Sequence, residues 1–79
     1  MNIFQPDSTT SIAELFKSLS QPARIDILLA IGAGEACVCH LEAVLKMRQA
    51  YLSQHLMALR QAGILEARRG GRFIYYRLA

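Results

Sequence analysis

A mainly α-helical domain closed by a small β-hairpin is what this sequence predicts, and three observations carry the prediction. Apolar residues recur at helical spacing in successive stretches between residues 11 and 62, separated by helix-ending signals. Beyond Gly63 the apolar period changes from helical to alternating. That alternating stretch is divided by Gly70-Gly71, a strong hairpin signal. The order helix, helix, short strand, helix, turn, helix, hairpin is that of a winged helix-turn-helix. With 79 residues there is room for one small domain, 1–79.

The elements follow in order. Ser11 and Glu14 form a capping box, after which Ile12, Leu15, Phe16 and Leu19 mark one face of a first helix. Residues 1–10 read as an N-terminal arm. Ser20-Gln21-Pro22 ends that helix and starts a second, because proline suits a first turn. Ile25, Leu28 and Leu29 supply the second helix's buried stripe, and Gly32 and Gly34 end it. Ala36-Cys37-Val38 is a short extended stretch, an edge strand at most. Leu41, Val44 and Leu45 mark a short third helix, Lys46-Met47-Arg48 a turn. A longer helix runs from about Gln49 to Ala62 with Leu52, Leu56 and Leu59 buried and Gly63 as its stop. The helix-turn-helix spans 39–62 and the wing 64–78. No internal repeat, low-complexity tract or linker interrupts them.

Composition narrows the function classes. The chain is 53% hydrophobic and 19% charged, which marks a folding sequence rather than a disordered one. No apolar run approaches the roughly 18 residues of a membrane span, and the N-terminus lacks a signal-peptide pattern. Cys37 and Cys39, the two cysteines, are too few and too close for a disulfide framework, so a reduced, cytoplasmic setting is expected. No arranged nucleophile, base and orienting acid supports an enzyme.

Charge is divided along the chain. Residues 1–45 hold two basic against five acidic residues, a net of −3, and residues 46–79 hold seven basic against Glu66 alone, a net of +6. Six of those seven are arginine, the better phosphate binder. A basic half of this kind is the footprint of a polyanion partner. It falls on the helix-turn-helix and the hairpin, the parts that would meet a duplex.

With Leu52, Leu56 and Leu59 facing inward, Gln49, Ala50, Ser53, Gln54 and Met57 fall on the outer face of the last helix. Glutamine pairs bidentately with adenine, serine adapts to base or phosphate, and alanine touches a thymine methyl. Arg69 and Arg72 at the hairpin tip suit backbone or minor-groove contacts. Arg48 stands where a capping Ser, Thr, Asp or Asn is preferred, which suits a phosphate contact or a solvated turn. Arg68 and Arg77 read equally as exposed sheet arginines. His55 reads as a packing or phosphate-contact histidine, and one of Tyr75 and Tyr76 as core. The expected partner is double-stranded DNA. A winged helix that docks a protein, or a fixed DNA-binding module without a ligand, is the alternative.

Leu15-Phe16 with Leu19-Ser20, Pro22-Ala23-Arg24-Ile25, Glu35-Ala36-Cys37-Val38-Cys39-His40-Leu41, Ser53-Gln54-His55-Leu56 with Leu59-Arg60, Gly63-Ile64-Leu65, and Gly71-Arg72 leading into Tyr75-Tyr76-Arg77-Leu78 together resemble the ArsR/SmtB family of metal-responsive repressors. The resemblance implies a homodimer that binds an inverted repeat in operator DNA and leaves it when a ligand binds. It puts Gln49, Ala50, Ser53 and Gln54 where the family reads DNA. Two-fold symmetry implies half-sites about one helical turn, roughly 34 Å, apart.

Cys37-Val38-Cys39 looks like the thiolate motif of the family's arsenic and cadmium sensors. Cys39 would stand at the N-cap of the third helix, where a thiolate is stabilised. The pair could share one soft ion, As(III), Cd(II), Pb(II) or Zn(II). Two departures follow. Glu42 occupies the position of a frequent third cysteine, and residues 1–10 contain no cysteine. A third ligand would come from His40, Glu42, Asp7, the other subunit or a free thiol. The alternative is a buried strand cysteine beside a weak cap. Arg48-Gln49-Ala50-Tyr51-Leu52-Ser53-Gln54 is similar to the sulfide- and thiol-responsive branch, so a redox-responsive repressor also stays open, although that branch's paired cysteines in more distant helices are absent here. Many members dimerise through a first helix and a last helix beyond the wing. This chain stops at Ala79, as a compact variant or a truncated one, and its first helix would then carry more of the dimer contact.

Overall fold

The computed structural model describes residues 6–79. Four helices and three strands run in the order α1 (Pro6–Ser18), α2 (Pro22–Ile31), β1 (Glu35–Cys37), α3 (Val38–Leu45), α4 (Gln49–Gln61), β2 (Leu65–Gly70) and β3 (Phe73–Leu78). The strands form one antiparallel sheet in the order β1-β3-β2, so β3 is central and β1 and β2 are its edges. This is the expected winged helix-turn-helix, with β2 and β3 as the wing.

The first helix starts five residues earlier than the capping box suggested. Residues 6–10 are helical rather than part of an arm, and Ser11 lies inside the helix. Pro6 is a good first-turn residue, Asp7 lies at the positive N-terminal end and Lys17 at the negative C-terminal end. The rest of the expected arm, residues 1–5, lies outside the described residues.

Ile27, Ile31, Ala36, Leu41, Leu52, Leu56, Leu59 and Leu65 form the core. The α4 stripe is as the spacing predicts. On α2 it is not: Ile27 and Ile31 are buried, whereas Ile25 and Leu29 are exposed, Leu29 at 75%. This helix is apolar nearly all round, so spacing alone did not mark its inner face. Val44 likewise faces outward on α3.

Backbone conformations explain the joints. Gly63 has φ +78°, and Ile64 N–H donates to the Leu59 carbonyl at 3.0 Å, a Schellman-type end for α4. Lys46, at φ 55°, closes α3 and begins the turn to Arg48. In the wing, Gly70 pairs with Phe73, so Gly71 and Arg72 are the turn rather than Gly70-Gly71. Gly71 supplies the positive φ (63°) of a primed hairpin turn. Gly70 is needed differently: a Cβ there would lie 2.8 Å from the Tyr75 ring.

Arg24 ties three helices together. Its Nε–H donates to His55 Nδ1 at 3.0 Å and its Nη1–H to the Ser18 carbonyl at 3.0 Å. The buried His55 ring is also met edge-on by Tyr51, with centroids 4.6 Å apart. Burial, and then the Arg24 charge, hold the imidazole pKa below its ordinary value of 6.5. The unfolded chain therefore takes up a proton near pH 6.5 that the fold still refuses, and stability falls as the pH drops below that value. Urea midpoints should decrease from about pH 7.5 to 5.5 in the native sequence, with a smaller decrease in His55→Gln.

Candidate functional site

α4 begins at Gln49 because Lys46 turns the chain and Arg48 takes the N-cap in extended conformation, without a side-chain capping bond. Arg48, Gln49, Ala50 and Gln54 are exposed and Ser53 half-buried: Ala50 and Gln54 lie opposite Leu52, Leu56 and Leu59, Ser53 lies on the flank, and Gln49, three residues before Leu52, stands in line with the leucines and is exposed because it opens the helix. The wing leans toward Gln49 and Ser53. A groove of about 320 Å³ between α3, α4 and β3 is lined by Val38, Cys39, Glu42, Gln49, Ser53, Arg72, Phe73, Ile74 and Tyr76. Four of the residues singled out in the sequence, Cys39, Gln49, Ser53 and Arg72, thus meet at one place.

The wing arginines separate into two kinds. Arg68 lies on the outer face of the sheet, where its Nη2 and Nε groups donate to Glu35 at 2.6 and 2.8 Å and its guanidinium stacks on Tyr75 at 4.6 Å. That bidentate bond holds the Glu35 carboxyl below its usual range. Arg77 Nε–H donates to Glu66 at 3.1 Å. Arg69 and Arg72 have no such ion pair among the described residues. Arg72 sits in the turn, 5.8 Å from the Phe73 ring, and Arg69 pairs with Ile74, on the sheet face that borders the groove. Sequence reading named Arg69 and Arg72 and left Arg68 and Arg77 open, because the carboxylate of Glu35 is distant in sequence. Arg68→Ala should lower duplex affinity less than Arg72→Ala, a ranking that anisotropy titrations of the two variants would check.

Cys37, not Cys39, caps α3. Its Sγ accepts from His40 N–H at 3.3 Å while its backbone belongs to β1, opposite Tyr75. Residue 38 already has helical geometry, which moves the cap two positions earlier than expected. The Cys37 and Cys39 sulfurs are joined in a disulfide, with Cα atoms 5.4 Å apart. This bridge departs from the reduced pair that the cysteine count and spacing predict: one intervening residue, at a strand-to-helix junction, still brings the two Cα atoms within disulfide reach. His40 is not gathered with the cysteines into a metal-holding group: no cluster of three or more His, Cys, Asp or Glu side chains suited to an ion occurs among the described residues. The bonded pair does not fit an ion as it stands, since thiolates are the ligands a soft metal needs.

Outside the groove, α1 presents an apolar face. Ile12 and Phe16 are 53% and 67% exposed. Ile12 and Leu15 also line a hollow of about 710 Å³ with Ala58 and Gln61 of α4.

A four-helix domain whose outward helix and protruding hairpin share one groove is a winged helix-turn-helix of the transcription-regulator class. The family model for "Bacterial regulatory protein, arsR family" matches residues 21–67. The biofilm growth-associated repressor of Agrobacterium fabrum is 47% identical over 70 residues, covering 89% of this chain and 60% of that protein. An arsenic resistance transcriptional regulator of Pseudomonas putida is 46% identical over 65 residues, covering 81% and 51% respectively. The solution structure of a homodimeric winged helix-turn-helix DNA-binding domain from Mycobacterium bovis superimposes with a TM-score of 0.88 at 30% identity, over 100% of this chain and 73% of that one. The chain belongs to the ArsR/SmtB family. It spans between 51% and 60% of the length of these two sequence relatives. No helix among the described residues is long and apolar enough to cross a membrane.

Proposed function

We propose that this chain acts as a cytoplasmic, homodimeric transcriptional repressor that binds an inverted-repeat operator and is released by a thiophilic ion. α4 enters the major groove, where Gln49, Ala50, Ser53 and Gln54 meet base edges, while Arg48, Arg69 and Arg72 meet phosphates. The observation that carries this reading is the shared groove of Gln49, Ser53 and Arg72, with the Arg68 and Arg77 charges already answered by carboxylates and those of Arg69 and Arg72 left for another anion. The exposed apolar face of α1 supports a second copy as its cover, and the Mycobacterium domain described as homodimeric supports the same assembly.

The releasing ion would be As(III), Cd(II), Pb(II) or Zn(II), held by Cys37 and Cys39 once both are reduced, with further ligands from outside this pair. The relative named for arsenic resistance supports that choice. Binding to two conformational states with different affinity is what lets an ion act on DNA at a distance.

Anisotropy of a labelled duplex against salt tests the core of the reading. Log affinity should fall linearly with log salt, with a slope near −0.9 for each phosphate neutralised. A salt-independent or absent interaction would favour protein docking instead. The double variant Cys37→Ser with Cys39→Ser should bind duplex as the native chain does and lose release by the ion. Continued release from the double variant moves the sensing site elsewhere.

A further inference from the structure

We propose that Cys37 and Cys39 are a thiol–disulfide exchange site, oxidised by low-molecular-weight disulfides, and that the oxidised pair closes the chain to thiophilic ions. The gate rests on the ion reading above, whereas the exchange chemistry does not.

Geometry prepares the pair. Cys37 is fixed on one side by the ladder to Tyr75 and on the other by its bond from His40 N–H. Cys39 follows within the first turn of the same helix. Their Cα atoms, 5.4 Å apart, lie within the separation a disulfide requires, with Cys37 still in β1 and Cys39 still in α3. The two sulfurs differ in access: Cys37 is half-buried, and Cys39 is exposed and borders the groove.

The chemistry balances with one external disulfide, RSSR. The Cys39 thiolate attacks one sulfur of RSSR, forming Cys39–S–S–R and expelling RS⁻, which takes up a proton. The Cys37 thiol gives its proton to water, and the resulting thiolate attacks Cys39 Sγ. The Cys39–SR bond breaks, a second RS⁻ leaves and is protonated, and the Cys37–Cys39 bond forms. Two cysteine thiols are oxidised while one RSSR is reduced to two RSH. The bridged sulfurs no longer carry the negative charge a soft ion requires, so oxidation removes the ion site.

The full chain equilibrated in glutathione buffers of graded thiol-to-disulfide ratio, then alkylated and weighed intact, reads the state of the pair. The expected result is a single transition from dithiol to intrachain disulfide in a chain of unchanged length, with no mixed disulfide accumulating. Cys37→Ser should instead stop as the glutathione adduct of Cys39, because the resolving sulfur is gone. Cd(II) added to the oxidised chain should give no thiolate-to-metal ultraviolet band, and reduction with a phosphine should restore it. Wild-type chain that stays dithiol, stops at the adduct or cross-links to a second chain overturns the exchange site. Oxidised chain that still gives the Cd(II) band overturns the gate. A reduced chain that gives no band overturns the gate together with the ion reading and leaves the exchange site standing. Duplex binding by the reduced chain, followed in the same samples, separates either failure from failure of the DNA reading.

Discussion

Leu56→Ala is expected to lower the unfolding free energy by about 2–5 kcal/mol, the cost of removing a buried leucine and leaving its cavity. Leu56 is 1% exposed, in a core shared by α2, β1, α3, α4 and β2. A domain of this size has only about 5–15 kcal/mol to lose, and each kcal/mol moves the melting temperature by about 4–8 °C. The next residue makes the control. Met57 is 60% exposed on the opposite face, so Met57→Ala should stay within about 0.5 kcal/mol of the native value. Urea or thermal melts of the two variants compare the faces of one helix, and equal effects would contradict the orientation of α4.

Gln54→Ala should remove discrimination rather than attachment. A bidentate contact between glutamine and adenine is worth about 1–3 kcal/mol, roughly 5- to 150-fold in affinity for the operator, with random duplex nearly unaffected. Arg72→Ala should do the reverse, weakening operator and random duplex alike and reducing the salt slope by about one unit. Competition titrations with both duplexes at several salt concentrations check the pair. Equal losses on both duplexes for Gln54→Ala would remove that residue from the base contacts.

Much of this was legible because it is local. Gly63 past the last apolar residue of α4, Pro22 after Ser20-Gln21, and the alternation on either side of Gly70-Gly71 each fix backbone geometry over a few residues. The outward positions Ala50, Gln54 and Met57 of α4 followed from its leucine spacing, whereas Gln49, in line with the leucines, is exposed only because it opens the helix. Features that depend on distant partners were not legible. Arg68 could not be told from Arg69 without the order β1-β3-β2, which brings Glu35 within reach of β2. Arg24 and His55, 31 residues apart, meet only once α2 crosses α4. The inner face of α2 was hidden by apolar residues all round it. The start of α1 was missed because Ser11-Ile12-Ala13-Glu14 satisfies a capping pattern that Pro6 and Asp7 pre-empt. The cysteines were visible as a pair, but their bridge depends on which of them ends β1 and which lies in α3.

The strand order also bears on the handling of this protein. With β3 in the middle, β1 and β2 each offer a row of unpaired backbone groups to which another chain could add a strand. β1 escapes by brevity, at three residues. β2 has six, and its charged side chains Glu66, Arg68 and Arg69 are what discourage such addition. Arginines that would be stripped in a scan of the wing are thus also the guards of an exposed edge. A variant lacking both Arg68 and Arg69 should self-associate as its concentration rises, so light scattering belongs beside every affinity measured on it.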